Sequence, residues 1–190
     1  MRQLTTERLL LRPFSEADFD TFVESMLSDS SVIRYYFSYQ IIEEPIERRA
    51  RAESDFWRHF QTSREAGFEV WSLFERTESD GPDASMIGWA GLIQSDLAAE
   101  HGGPELQYML ASRVHGRGYA TEAAGEVLRD ARERQLTDRI VAVVDIPNAG
   151  SVRVLEKLEF ERLGQIDTYG SPDMYLYSLS FRPGSSRGPA

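Results

Sequence analysis

The chain has 190 residues, with 31 acidic side chains against 21 lysines and arginines and a formal net charge of −10. Such a balance argues against non-specific attraction to nucleic acid or to anionic membranes. The absence of cysteine excludes a disulfide framework, a thiolate metal site and a cysteine nucleophile.

The length fits one domain, expected over residues 1–183, that can bury most of its unfolded surface in a single core. His59, His101 and His115 show no metal-ligand spacing, so no metal is expected. No apolar stretch approaches bilayer length and the N-terminus lacks a signal-like apolar run, which makes the cytoplasm the expected location.

In chain order, a strand is expected at about 8–13 and a helix at about 16–28, where Phe19, Phe22, Val23, Met26 and Leu27 form an apolar stripe and Ser15 with Asp18 reads as a capping box. An aromatic loop, Tyr35-Tyr36-Phe37-Ser38-Tyr39, precedes a second helix carrying Ile46, Ala50, Phe56, Trp57 and Phe60, with a stop at Ala66-Gly67. Phe68, Val70, Ser72 and Phe74 alternate with Glu69, Trp71, Leu73 and Glu75. The turn Ser79-Asp80-Gly81-Pro82-Asp83 follows, and Met86 to Ile93 returns as the other arm of an antiparallel hairpin.

After a polar connection through Glu100-His101-Gly102-Gly103-Pro104, a strand from about Glu105 to Ala111 leads through a glycine loop into a helix. On that helix Ala120, Ala123, Ala124, Val127, Leu128 and Ala131 recur at helical spacing. Ile140-Val141-Ala142-Val143-Val144 is an unbroken apolar run, the pattern of a central parallel strand buried on both faces. A short helix at about 149–159 and a final pair of strands, the last near Met174 to Leu179, complete the core. The tail, residues 184–190, has nothing to bury and is expected to be disordered.

The segment Arg113-Val114-His115-Gly116-Arg117-Gly118-Tyr119-Ala120-Thr121-Glu122 is the one built for a ligand. Gly116 and Gly118 allow positive φ and a close backbone approach, and the helix that follows offers unpaired N–H groups at the positive end of its dipole. The expected ligand is a phosphate group; plain chain reversal is the alternative reading. The spacing fits neither a Walker loop, which needs Lys-Ser or Lys-Thr after its second glycine, nor a dinucleotide fingerprint, which needs a third glycine. Salt confines electrostatic fields to roughly 8 Å, so the local cations Arg113, His115 and Arg117 matter more than the net charge. Arg153 and Lys157, one turn apart, either add to them or form a solvated face.

Arg113-x-x-Gly116-x-Gly118-Tyr119-Ala120 resembles the Q/R-x-x-G-x-G/A pyrophosphate loop of the GNAT acyltransferases, which bind acetyl-CoA. The opening Leu4-Thr5-Thr6-Glu7-Arg8-Leu9-Leu10-Leu11-Arg12-Pro13 and the stretch Ile87-Gly88-Trp89-Ala90-Gly91-Leu92 are similar to that family's RimJ/RimL-type branch of ribosomal-protein N-terminal acetyltransferases. So are Asn148-Ala149-Gly150-Ser151 and Leu155-Glu156-Lys157-Leu158-Glu159-Phe160, which resemble its N-x-x-S and L-x-K-x-G-F signatures. Two positions depart from the pattern: Glu159 stands where glycine is usual, and Gln107 where the branch often has glycine.

The resemblance implies an α/β fold of α+β type: a mixed, mostly antiparallel twisted sheet of about seven strands flanked by about four helices, with a splayed parallel pair at its centre. It implies an N-acetyltransferase that moves an acetyl group from acetyl-CoA to a primary amine, either a protein N-terminus or a small molecule, by direct attack in a ternary complex. The other class of reading is a non-catalytic acyl-CoA-binding or interaction module. By the resemblance, backbone groups of Tyr108, Met109 and Leu110 meet the pantetheine arm, and N–H groups from Val114 through His115, Gly116, Arg117, Gly118, Tyr119 and Ala120 to Thr121 meet the pyrophosphate, with Arg113 and Arg117 flanking it. Asn148 reaches the arm and Ser151 protonates the leaving thiolate. Glu105 relays the amine proton through water; its other reading is an exposed strand-end carboxylate. Asn148 is also an ordinary helix cap. Tyr36, Tyr39, Trp57 and Trp89 line the acceptor pocket or, for the tryptophans, the core. A homodimer is expected, as members of this branch often form one.

Overall fold

The computed structural model describes residues 2–35, 44–76 and 85–181. Tyr36, Tyr39, the turn at Ser79–Asp83 and the tail lie outside them. The described chain runs β1 (Leu4–Thr5), β2 (Leu9–Pro13), α1 (Glu16–Phe22), α2 (Ser30–Ile33), α3 (Pro45–Glu65), β3 (Val70–Glu75), β4 (Met86–Ile93), α4 (Asp96–His101), β5 (Glu105–Leu110), α5 (Tyr119–Glu133), β6 (Arg139–Asp145), α6 (Ala149–Lys157), β7 (Glu161–Thr168) and β8 (Ser171–Ser180). The strands form one sheet in the order β1-β2-β3-β4-β5-β6-β8-β7. Every neighbouring pair is antiparallel except β5 with β6.

Side chains alternate across β3, and both faces find cover. Trp71 and Leu73 meet Ala123, Ala124 and Val127 of α5 and Leu155 of α6. Val70 and Phe74 turn to the other side, where Phe14, Phe19, Phe22 and Phe60 pack with Trp89. Trp89 stands edge-on to Phe22 and Phe56, with ring centroids 6.4 and 5.9 Å away, the arrangement that aromatic quadrupoles favour.

The sheet has one strand more than expected and the described residues hold two more helices. The added strand is the two-residue β1, paired Leu4 to Leu11 and Thr5 to Leu10. The added helices, α2 and α4, are too short to show a period. Their signals are caps instead: Asp29 accepts Ser31 N–H, Ser95 accepts Ala98 N–H, and Gly102 ends α4 at φ 74. The helix expected to reach residue 28 is α-helical only to Phe22 and then widens into a π-turn over Val23–Leu27, where Ser28 N–H bonds Val23 O at 3.0 Å.

Glu159 takes φ 62, the left-handed conformation glycine would adopt, and Phe160 N–H bonds Leu155 O at 3.0 Å to close the helix end. The turn is therefore kept despite the substitution, at a steric cost. Glu159→Gly should raise stability by about 1 kcal/mol, read as a higher Tm, because the left-handed region costs an L-residue roughly that much.

Candidate functional site

β5 and β6 share a single parallel pair, Glu105 with Val141, supported by Val141 N–H bonding Pro104 O at 3.0 Å. Beyond that pair the two strands part. The gap opens a groove of about 570 Å³. One wall is Tyr108, Met109 and Leu110 of β5, and the other is Pro147 through Ser151, where β6 turns into α6. Val114, His115, Gly116 and Gly118 of the loop, with Tyr119, Ala120 and Thr121 of α5, form its floor.

Gly116 and Gly118 have φ 78 and 83, so the loop needs residues that tolerate the left-handed region. Among the described residues no side chain caps α5, so its first-turn N–H groups lie open at the positive end of its dipole. The row of donors is shorter than the sequence implied. Val114 N–H and His115 N–H are already bonded to Ala111 O and Ser112 O, at 3.1 and 3.0 Å, in a tight 3₁₀ turn. Among the described residues, the N–H groups from Gly116 to Thr121 have no such bond.

The flanking arginines also lie elsewhere. Arg113 donates to Met86 O at 2.8 Å and pins the turn to β4, while Arg117 pairs with Glu75 at 2.9 Å. Neither lines the groove. The cations that do are Arg34, after α2, and Arg153 and Lys157 on α6. Two cations one turn apart also read as a solvated face, so only the fold distinguishes the cases. Arg8 holds the loop from behind: its guanidinium donates to Glu122 at 2.7 Å and to Arg117 O at 2.9 Å, and lies 4.7 Å from the centre of the Tyr119 ring.

Asn148 caps α6, its Oδ1 accepting Ser151 N–H at 3.1 Å, and both residues line the groove. The phenol of Tyr108 lies 3.5 Å from Ser151 O, and burial pushes its pKa up to about 12, so it stays protonated. Sequence reasoning assigned Tyr108 only backbone groups; its phenol also reaches Ser151.

Glu105 is not an exposed strand-end carboxylate. It is 2% exposed, outside the groove lining, on the sheet face that α1 and α3 cover. Burial raises its pKa, and the bonds from Tyr169, Ser95 and Gln107 only partly oppose that. On the same face a smaller cavity of about 50 Å³ is bounded by Phe22, Phe56, His59, Trp89, Gln107 and Met109. Trp57 does not line it and packs against Phe14 and Phe19.

Residues 8–161 match the acetyltransferase (GNAT) domain family. An uncharacterized N-acetyltransferase of Bacillus subtilis, YoaA, is 28% identical over 181 residues, 93% of this chain and 95% of the relative. Among solved structures, an acetyltransferase from Agrobacterium tumefaciens superimposes with a TM-score of 0.72 at 23% identity, covering 94% of each chain. Spermidine N-acetyltransferase from Vibrio cholerae, in complex with CoA and spermine, does so with a TM-score of 0.66 at 17% identity, covering 92% of this chain and 96% of that one.

Proposed function

This chain belongs to the GNAT acetyltransferase family, and we propose that it is an N-acetyltransferase that moves an acetyl group from acetyl-CoA to a primary amine in a ternary complex. The observation that carries this reading is the parting of β5 from β6 with a cap-free helix N-terminus and two left-handed glycines at its floor. Such a cleft fits a long ligand with a phosphate at one end and an extended amide-bearing arm.

Acetyl-CoA supplies the activated acyl group as a thioester. Gly116 to Thr121 would hold its pyrophosphate, Arg34, Arg153 and Lys157 its remaining negative charge, and Tyr108, Met109, Leu110 and Asn148 its arm. The acyl group passes directly to the amine, and the absence of cysteine excludes an acyl-cysteine intermediate. The amine reaches it from the face that carries Glu105, Gln107 and the small cavity. Ser151 gives a proton to the departing sulfur. The acceptor is a protein N-terminus or a small amine, and the opening and N-x-x-S motifs favour the RimJ/RimL-type branch, whose members often form homodimers.

Ser151→Ala should lower kcat about tenfold while the affinity for acetyl-CoA stays within twofold, because a proton given only as the sulfur leaves is felt in the transition state. Unchanged turnover passes that role to the Tyr108 phenol. The reading as a whole is tested by thiol release from acetyl-CoA. Release that depends on an added amine supports it, and release at the same rate without one contradicts it.

A further inference from the structure

The carboxylate of Glu105 is sealed inside the protein, so it cannot itself meet an amine that arrives from solvent. Three groups bond it: Ser95 Oγ at 2.7 Å, from the cap of α4; Gln107, from the same strand; and the phenol of Tyr169, from the turn between β7 and β8. Ser95 is buried, and its oxygen also accepts Ala98 N–H at 3.1 Å. Gln107 offers an amide, which donates a hydrogen bond but does not pass a proton on. Tyr169 is 38% exposed, and a hydroxyl can accept one proton while donating another. Of these three groups it alone is both exposed and able to relay.

The backbone at Tyr169 needs a reason of this kind. Thr168 pairs with Ser171, so Tyr169 and Gly170 form a two-residue hairpin turn, and both have positive φ, 52 and 79. Asn-Gly or Asp-Gly suits such a turn; a tyrosine at its first position is strained. Strain of this sort persists where other interactions over-determine it, and here the bond to Glu105 does so.

We propose that Tyr169 is the residue through which Glu105 takes the proton of the acceptor ammonium. The ammonium N–H bond breaks as its proton joins the phenol oxygen, and the phenol O–H proton passes to the carboxylate. A neutral amine, an unchanged phenol and a protonated Glu105 result, so one positive and one negative charge disappear together. After transfer the proton returns to solvent by the same hydroxyl. Among the described residues, Glu105 bonds Ser95, Gln107 and Tyr169 and pairs in the sheet with Ile93 on β4 and Val141 on β6, none of them charged. Burial among them raises the carboxyl's pKa, so the carboxylate holds a proton more firmly once it accepts one. The inference rests on the transferase reading and adds to it the route of the proton.

The test is the initial rate of acetyl transfer against pH for the wild-type chain, Tyr169→Phe and Tyr169→Asn, with acetyl-CoA and four probes: spermidine, kanamycin, lysine and a tripeptide beginning with serine. Both variants should show kcat about ten- to a hundredfold below wild type near neutral pH, with KM for both substrates nearly unchanged. The deficit should shrink as pH rises toward the pKa of the amine, because the free base needs no relay. Tyr169→Asn relieves the turn, so equal slowness in both variants separates the lost hydroxyl from a damaged hairpin. Wild-type kcat in either variant, or a deficit that is the same at every pH, would overturn the relay and leave the transferase reading standing. Wild-type protein that acetylates none of the four probes would overturn both.

Discussion

Replacing Gly118 with valine is expected to weaken CoA binding about 10- to 100-fold, measured by calorimetry on the folded variant. Room is not the difficulty: a Cβ at Gly118 would meet only Arg8 Nη2 at 3.5 Å, an ordinary contact. The difficulty is φ, which at 83 lies where a β-branched residue is strained. To relieve that strain the loop must turn, and its N–H groups would no longer converge on the space above α5. A folded Gly118→Val protein with unchanged CoA affinity would remove the phosphate site from this loop.

Glu105→Gln should have two effects of opposite sign. Turnover should fall about 100-fold or more, since the amide cannot accept the proton. Stability near neutral pH should rise. A buried carboxyl with a raised pKa contributes stability that is complete below its ordinary value of 4.5 and is lost as pH climbs through the raised value. At neutral pH the wild-type chain bears that loss, whereas glutamine, isosteric and neutral, can still accept the bonds from Tyr169 and Ser95. Melting curves from pH 4 to pH 8 should therefore show the variant gaining on the wild type as pH rises. A constant difference across that range would contradict burial of a titrating carboxyl at this position.

Much of the fold was legible because the signals were local. The long alanine-rich stripe of α5, the unbroken apolar run of β6 and the hairpin of β3 with β4 all lie where periodicity places them. The short helices α2 and α4 were not, since four and six residues carry no period and speak only through their caps. The glycine loop was legible as a motif, but the direction of its arginines was not. Arg113 and Arg117 face Met86 O and Glu75, partners distant in sequence that only the sheet brings near. The same holds for Tyr169, which lies 64 positions from Glu105 and reaches it through a hairpin turn that by composition is merely a turn.

Mass spectrometry of candidate acceptors decides whether this cleft transfers an acetyl group to an amine. The protein is incubated with acetyl-CoA and a panel of peptides with free N-termini, polyamines, aminoglycosides and amino acids. At least one acceptor should gain the mass of one acetyl group, with the gain strongly reduced in Gly118→Val. Tight CoA binding with no acetylated acceptor across the panel and across pH would contradict it and leave a chain that binds acyl-CoA without using it.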